Sequence, residues 1–283
     1  VKKAAALANH ELGLLPEGKK NVICEACDEI IAGKYHDQFV VDMIQGGAGT
    51  STNMNANEVI ANIGLELMGH KKGEYKFLHP KNDVNLSQST NDAYPTALRV
   101  TLYEKLGELN ESMVIIKDSF AKKALEFKDI IKMGRTQLQD AVPMTLEQEF
   151  RTYAIMIGED IQRVSEARQL VREINMGATA IGTGINAHPD YAKTVEAKLQ
   201  EVTGRPFVTA GDLVEATQDT GAYVQISGVL KRVATKMSKI CNDLRLLSSG
   251  PRTGFGEINL PAMQPGSSIM PGKVNPVIPE VVN

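Results

Sequence analysis

The sequence lacks three features that would each assign it to a large class of proteins: an excess of basic charge, a long apolar run and an even set of cysteines. The net charge of −3 and the pI of about 6.0 provide no positive field for nucleic acid or an anionic membrane. No apolar run approaches the roughly 20 residues of a membrane span. Nucleic acid and membrane partners are therefore not expected.

The three cysteines cannot all pair, and their spacing does not predict a metal site. Cys24 and Cys27 lie inside a predicted helix (residues 22–31), and Cys241 stands alone. A structural zinc site needs a second pair of ligands. The five histidines also lack the H-E-x-x-H spacing of a zinc site. We therefore expect a cytoplasmic protein with reduced cysteines that pack in its interior, and no metal or other cofactor.

Long stretches of helical periodicity dominate what is present. With 42% hydrophobic residues, 283 positions suffice for one large domain or two ordinary ones. After residue 92, apolar residues recur every three or four positions over 102–127, 146–174 and 226–247. The last stretch lies in a possible helix at 212–248, which would be roughly 55 Å long at 1.5 Å per residue. The predicted fold class is mainly α, with short helices in residues 1–85 and long helices after them.

Helices of this length indicate a bundle. They exceed the mean helix of about 11 to 12 residues and favour packing between subunits. A homo-oligomer follows from this, although a monomeric coiled-coil-like scaffold protein fits the periodicity equally well. The positions of the polar clusters favour an enzyme over a scaffold.

Hydroxyl and amide side chains precede predicted helices in three places, residues 45–62, 83–96 and 134–148. Such donors at helix N-termini bind carboxylates, and a four-carbon dicarboxylate needs two cradles that face each other. The third segment also contains the capping-box spacing Thr145-x-x-Gln148. A small acidic substrate is therefore predicted. The side chains concerned are Thr50 in the first segment, Ser89, Thr90 and Asn91 in the second, and Thr136 and Gln137 in the third.

A fourth cluster lies at residues 265–276, P-G-S-S-I-M-P-G-K-V-N-P. Its glycines and prolines suit a loop that closes over a ligand, and Ser267 and Ser268 are the hydroxyls that it would bring. Asn275 and Pro276 predict a helix N-cap and the first helical position after it.

These four segments resemble the motifs of the aspartase/fumarase superfamily, whose members eliminate across a C–N or C–O bond to give fumarate. The loop G-S-S-I-M-P-G-K-V-N-P resembles the signature loop of that family residue for residue. The other segments resemble G-T-S-x-N-M-N-x-N-E, S-x-S-x-N-D-x-x-P-T and G-R-T-x-x-Q-D-A. The resemblance implies a homotetramer in which three subunits contribute to each active site.

The same resemblance implies a domain organisation. Residues 1–90 would form a smaller, mostly helical N-terminal domain that lacks its beginning, and residues 91–283 a central helical-bundle domain that lacks its end. The C-terminal domain of the family would be absent, so the chain is expected to be partial.

Carried over position by position, the resemblance also implies the roles of the site residues. Ser267 corresponds to the catalytic base. The remaining residues would bind substrate: the β-carboxylate is assigned to Thr50, Ser89, Thr90 and Ser268, the α-carboxylate to Thr136, Lys273 and Asn275, and the amino group to Asn91.

Gln137 bears on which of two activities within the family is expected, and it excludes hydration better than it proves deamination, because some family members that release ammonia also have histidine at this position. By the same resemblance, fumarases have histidine at the position of Gln137. Hydroxide is a very poor leaving group, and an imidazolium can protonate it as it leaves. Glutamine cannot supply that proton, whereas an ammonium group already carries its own. We therefore expect elimination of ammonia from L-aspartate to give fumarate, with Gln137 orienting the substrate. Class II fumarase is the alternative. A non-catalytic bundle protein is a second alternative, which the intact loop with Ser267 and Lys273 opposes.

A rival motif lies at residues 182–187, which fit G-x-G-x-x-A, the fingerprint of a dinucleotide-binding fold. The dipeptide His188-Pro189 falls where the phosphate-binding helix should already have begun, and no second βαβ unit follows. We therefore predict a glycine turn that joins helices.

Overall fold

The computed structural model describes residues 1–44 and 46–283. Gln45, which opens the glycine turn predicted ahead of Thr50, lies outside the described residues. The predicted mainly α fold class is confirmed, because most elements of the described residues are helices. In chain order these are α1 (Lys2–Glu11), α2 (Glu17–Ile31), α3 (Thr50–Leu67), α4 (Thr90–Glu126), α5 (Leu146–Leu170), α6 (Tyr191–Thr203), α7 (Leu213–Gln218), α8 (Gly221–Leu247) and α9 (Val277–Val282), with a 3-10 helix at His36–Gln38 and a π-helical turn at Pro80–Val84.

Short strands connect some of the helices. An antiparallel hairpin is formed by β1 (Ile131–Thr136) and β2 (Gln139–Thr145), and β3 (Glu173–Ile174) pairs in parallel with β4 (Val208–Thr209). The glycines at residues 182–187 lie in irregular chain between β3 and α6. Gly182 and Gly184 have φ of 99° and 67°, a region that glycine adopts at no steric cost. The predicted glycine turn is therefore confirmed, although it follows a short strand rather than a helix.

The chain divides into two compact units, each made of two segments. Unit 1 comprises residues 1–105 and 168–222, and unit 2 comprises residues 106–167 and 223–283. The boundaries fall within α4, α5 and α8. The units follow spatial contacts, whereas the predicted domains divide the sequence at residue 90, so that domain division stays a prediction.

In unit 1 the N-terminal helices enclose an apolar core. Ile23 of α2, Ile60 and Leu65 of α3, and Leu78 in the segment after α3 are buried together. The predicted helix at 22–31 is part of α2. Cys27 is a free thiol within this core, and burial raises its pKa to about 12. Cys241 of unit 2 is also free and buried, and Cys24 is half-buried, so the interior packing of the cysteines is confirmed for two of the three.

In unit 2 the apolar stripes of the long helices meet as predicted. Phe120 of α4 packs against Phe150 and Tyr153 of α5, with ring centroids 6.1 and 5.4 Å apart. The Tyr153 hydroxyl donates a hydrogen bond of 3.1 Å to Asp243 of α8. The buried carboxylate of Asp160 in α5 pairs with Arg232 of α8 at 2.7 Å. Ring contacts thus join α4 to α5, and polar contacts join α5 to α8.

The prediction of one continuous helix at 212–248 is wrong. The helix begins as expected, because the Asp212 carboxylate accepts hydrogen bonds from the N–H groups of Val214 and Glu215 at 2.8 and 3.0 Å. The chain then leaves the helix at Asp219, where ψ is 134°. The Asp219 carboxylate accepts from the N–H of Gly221 at 2.9 Å and so caps α8. Aspartate competes with the helical backbone in this way because its short side chain reaches nearby N–H groups.

None of the helices within the described residues is both long enough and apolar enough to cross a membrane.

Candidate active site

The polar residues at the starts of α3 and α4 meet within unit 1. Thr50 is the first residue of α3 and is exposed. One turn later, the Asn53 amide donates a hydrogen bond of 3.0 Å to the hydroxyl of Thr90, the first residue of α4. Gly49 lies so close to α4 that a Cβ there would stand 2.6 Å from a ring carbon of Tyr94. The two predicted hydroxyl clusters are therefore in contact. Both predicted helices are present, but each begins inside its cluster rather than after it.

A network of amides and one lysine lies beside Thr90. The Asn85 side-chain oxygen accepts from Lys2 Nζ at 2.8 Å, from Asn57 at 3.1 Å and from Asn53 at 3.2 Å. Burial lowers the pKa of Lys2 to about 7, while the nearby Asp92 opposes that shift. Sequence reasoning missed this ammonium group, because Lys2 lies 88 positions before Thr90 and no local motif joins them.

Ser89 and Asn91 shape the first turn of α4. The Ser89 hydroxyl accepts a hydrogen bond of 3.1 Å from the N–H of Asn91. The Asn91 side-chain NH₂ donates to the carbonyl of Ala180 at 2.7 Å, and its own backbone carbonyl accepts from the Asn175 amide at 3.0 Å. The start of α4 is thus joined to residues 175–180, which precede the glycine turn.

Asp92 lies in the first turn of α4, and the sequence analysis assigned it no role. It is 0% exposed, and its carboxylate accepts hydrogen bonds from the N–H groups of Ser89 at 2.9 Å, Thr179 at 2.9 Å and Gly177 at 3.2 Å. Burial raises the pKa of this carboxyl from 3.8 to about 6, and the backbone hydrogen bonds limit the rise. The spacing Ser89-x-x-Asp92 resembles a capping box and is the signal that could have identified it.

Thr136 and Gln137 lie at the tip of the hairpin in unit 2, so strand β2 separates them from the helix start that was predicted for the third segment. Thr136 pairs with Gln139, which leaves Gln137 and Leu138 as a two-residue turn. Their φ values are 52° and 62°, and a type I′ turn needs positive φ at both central positions. The predicted capping box is confirmed further along: Thr145 and Gln148 exchange hydrogen bonds of 2.9 and 3.2 Å at the start of α5.

Ion pairs hold the base of this hairpin. Arg135 pairs with Glu257 and stacks its guanidinium 4.1 Å from the ring centroid of Phe255. Lys132 pairs with Glu149 and, at 2.8 Å, with Glu257. Burial raises the pKa of the Glu257 carboxyl, but the hydrogen bonds from Arg135 and Lys132 outweigh burial, so the pKa is lowered. The hairpin is therefore joined to residues 255–257, from which the chain runs on to the predicted loop.

Local bonds close the loop at residues 265–275 on itself. Pro265 and Val274 form an antiparallel bridge, and the N–H of Gly266 donates to the carbonyl of Lys273 at 2.8 Å. The Ser267 hydroxyl oxygen accepts from the N–H groups of Ile269 at 3.2 Å and Met270 at 3.3 Å. Lys273 Nζ donates to the carbonyl of Gly266 at 3.4 Å, whereas Ser268 is exposed. Backbone N–H groups thus contact the predicted base, and an ammonium lies at the carbonyl of the residue before it.

Asn275 does not cap the last helix, contrary to the prediction. α9 begins at Val277, and its N-cap is Pro276 without a side-chain capping bond. Pro276 has φ of −75° and ψ of 65°, and the N–H of Val277 donates to the carbonyl of Asn275 at 2.8 Å. This is an inverse γ-turn, which directs Asn275 away from the helix start. Its side chain lies against Gly266 instead, where a Cβ would stand 2.5 Å from the Asn275 oxygen.

The predicted site residues therefore form separate groups. Unit 1 brings together Thr50, Ser89, Thr90 and Asn91 around the starts of two helices. Unit 2 carries Thr136 and Gln137 at the hairpin tip and the remaining four residues on the loop and just after it. In the described ranges, no group of three or more His, Cys, Asp or Glu side chains is placed to hold a metal ion.

A family model described as lyase matches residues 1–283, which is the whole chain. The chain belongs to the aspartase/fumarase superfamily of lyases. The family predicted from the four motifs is thereby confirmed. A curated member of this superfamily from Helicobacter pylori, aspartate ammonia-lyase, is 71% identical over 283 residues. That match covers 100% of this chain and 60% of the relative, so the chain spans less than two thirds of the relative's length.

Solved structures of lyase relatives have the same fold. A protein from Brucella melitensis described as fumarate lyase:delta crystallin, in a crystal structure bound to cobalt, is 57% identical with a TM-score of 0.97, covering 100% of this chain and 61% of that one. A class II fumarase from Schistosoma mansoni is 34% identical with a TM-score of 0.95, covering 99% of this chain and 62% of that one. These likenesses support the predicted helical-bundle architecture.

Proposed function

We propose that the full-length protein containing this chain is an aspartate ammonia-lyase, which reversibly eliminates ammonia from L-aspartate to give fumarate. One observation carries the proposal. The chain is 71% identical to an aspartate ammonia-lyase but 34% identical to a class II fumarase, over nearly the same residues. Gln137, which cannot act as the acid that dehydration of malate needs, agrees with that difference.

The β-carboxylate of the substrate is assigned to Thr50, Ser89, Thr90 and Ser268. Three of these hydroxyls belong to the joined starts of α3 and α4, where helix N–H groups favour an anion. Lys2 adds a positive charge beside Thr90 when it is protonated. Proton loss from the carbon next to this carboxylate places a second negative charge on it, so fixed donors here stabilise the transition state more than the substrate.

Ser267 is assigned as the base. Its oxygen already accepts two loop N–H groups, the donors that an alkoxide needs, and Lys273 lies on the same loop with its ammonium at the Gly266 carbonyl. Both features favour the ionised serine. In the elimination, the Ser267 alkoxide takes the Cβ proton and the C–H electron pair moves into an aci-carboxylate. That pair then forms the double bond as ammonia leaves from Cα.

The other end of the substrate is assigned to Thr136, Lys273 and Asn275 for the α-carboxylate and to Asn91 for the amino group. Gln137, at the tip of the hairpin, orients the substrate as a neutral amide. The leaving nitrogen departs as ammonia from an ammonium group, so it needs no acid.

The assembly belongs to the same proposal. The assigned residues are divided between two units of one chain, and the family resemblance implies a homotetramer with shared active sites. Exposed apolar side chains on α4 and α8, such as Ile115 (68%) and Val224 (69%), support burial between subunits. The three free cysteines support a reducing, cytoplasmic location, and neither a membrane nor nucleic acid is a proposed partner.

The test is a comparison of two substrates. Full-length protein is supplied with L-aspartate or L-malate at equal concentration, and fumarate is followed by its absorbance. We expect faster fumarate formation from aspartate, and consumption of fumarate that depends on added ammonia. Faster turnover of malate would replace this proposal with a fumarase. Absence of both activities from folded protein would indicate a non-catalytic bundle protein.

A further inference from the structure

A hydrogen bond orients the side-chain amide of Asn91 so that its oxygen could accept a hydrogen bond from the amino group of a substrate. Its NH₂ group donates to the carbonyl of Ala180 at 2.7 Å. A carbonyl oxygen can only accept, so this bond requires the nitrogen of the amide to face Ala180 and leaves the side-chain oxygen as an acceptor without a donor among the described residues. Ammonium and ammonia are hydrogen-bond donors, so an acceptor oxygen is what their recognition needs.

The segment that carries the Ala180 carbonyl is itself held in an unfavourable conformation. Thr179 has φ of 56°, which is an outlier for a β-branched residue. Gly177 has φ of 94°, and a Cβ there would stand 2.7 Å from the Cβ of Ala192. Because such backbone persists where neighbouring bonds determine it, the N–H groups of Gly177 and Thr179 should have fixed partners.

Both N–H groups donate to one oxygen of Asp92, at 3.2 and 2.9 Å, while the other oxygen of Asp92 accepts from Ser89 at 2.9 Å. The carboxylate is therefore joined to residues 177–179 on one side and to the start of α4 on the other. An amide could not replace it fully, because its NH₂ group would face an N–H donor.

We propose that Asp92 is a positioning residue for amine recognition: it holds residues 177–180 so that the Ala180 carbonyl turns the oxygen of Asn91 toward the amino group of the substrate. This inference rests on the proposed function. Asp92 does not touch the substrate, and it acts through the segment that precedes the glycine turn. The same carboxylate also supports Ser89, so it links the amine subsite to the β-carboxylate subsite.

Two variants of the full-length protein separate the bonds of Asp92 to residues 177–179 from its bond to Ser89. Asp92→Ala removes both, whereas Gly177→Ala displaces residues 177–180 and leaves the bond between Asp92 and Ser89 in place. In the reverse reaction we expect each variant to raise the KM for ammonia about tenfold, the effect of losing one hydrogen bond to a charged or strongly polar group. Gly177→Ala should change the KM for fumarate less than about twofold, which a general loss of structure would not produce.

A double-mutant cycle tests whether Asp92 acts through Asn91. In an Asn91→Ala background, Asp92→Ala should no longer raise the KM for ammonia, because the oriented amide is already gone. The matched control is Thr96→Val, one turn along the same helix. Thr96 is 0% exposed, and its hydroxyl has no hydrogen-bond partner among the described residues, so the kinetics should be unchanged.

The outcomes are distinct. An inactive wild-type protein would refute the proposed function itself. An active wild type with an unchanged KM for ammonia in folded Asp92→Ala or Gly177→Ala, or an equal effect of Asp92→Ala with and without Asn91, would overturn the positioning role. If neither variant folds, Asp92 serves folding and the positioning role is rejected.

Discussion

The start of α4 and the loop at residues 265–275 supply different parts of the proposed site, and they are held in opposite ways. At the start of α4, the hydrogen bonds reach residues far away in the sequence, including Asn53, Asn175 and Ala180, around a fully buried Asp92. The bonds that shape the loop run between its own residues, and Ile269 is 83% exposed. The amine ligand and most of the β-carboxylate ligands are thus built on a cross-linked framework, whereas the base lies on a segment that folds locally.

This difference suits the two tasks. Donors that stabilise developing charge act best when they are fixed before the reaction, because no free energy is then spent on reorienting them. A base that must be shielded from water is better carried by a segment that can open for substrate and close afterwards. The comparison predicts that a change at Ser267 acts on the rate and a change at a carboxylate ligand of the loop on rate and binding together, whereas changes around Asp92 act on binding and stability.

The largest effect is expected from Ser267→Ala in the full-length protein. It deletes the proton acceptor and leaves the carboxylate ligands, so kcat should fall about 10³-fold while KM changes little. Steady-state kinetics with L-aspartate measure both constants. Ser112→Ala, at an exposed serine of α4, is the matched control. A Ser267→Ala enzyme that kept about a third of the wild-type rate would show that another group is the base.

Lys273→Ala should have the next largest effect and should act on both constants. It removes a ligand of the α-carboxylate and the charge that favours the Ser267 alkoxide, so KM should rise while kcat falls. We expect kcat/KM to decrease about 10- to 100-fold. Lys122→Ala changes an exposed lysine of the same unit and should leave both constants unchanged. An unaltered KM in Lys273→Ala would remove Lys273 from the list of substrate ligands.

A different kind of effect, on stability against pH, belongs to the α4 region alone. The pKa of Asp92 is about 6 in the folded protein and 3.8 ordinarily, so the folded state binds the proton more tightly. The stabilisation is fully present below about pH 3.8 and is lost as pH rises through about 6, in total about 3 kcal/mol. The titratable groups that face Asp92 are Lys2 of α1 and Tyr191 of α6, and both titrate above this window.

Thermal midpoints of wild type and Asp92→Asn between pH 4 and 6 measure this effect. Relative to the variant, wild type should lose stability as the pH rises through this range, because only wild type must bury a charge. Lys122→Ala should follow the wild-type curve. A constant difference between wild type and Asp92→Asn would mean that Asp92 keeps an ordinary pKa.

Local sequence was sufficient for a large part of the fold. The stripe at 102–127 predicted much of α4, and the stripe at 146–174 predicted α5, because apolar residues on one face of a helix are spaced by its own geometry. The capping box of Thr145 and Gln148 was also predictable, since both partners lie within one helical turn. The four motifs likewise identified the family, because a motif is recognised from residue types and their order, which do not depend on tertiary structure.

Tertiary structure decided what depended on distant partners or on backbone conformation. The two-residue turn at Gln137 and Leu138 exists because β1 and β2 pair, which a glutamine and a leucine do not predict. The place of Asn275 against Gly266 follows from a turn that closes the loop. The spacing of Ser89 and Asp92 indicates their local bond, but the bonds of Asp92 to the N–H groups of residues 177–179, more than 80 positions later, follow only from the folded structure. The burial of a side chain and its hydrogen bonds to residues far away in the sequence are properties of the folded chain. Residue spacing therefore determined the helices, whereas packing determined how the site residues are held.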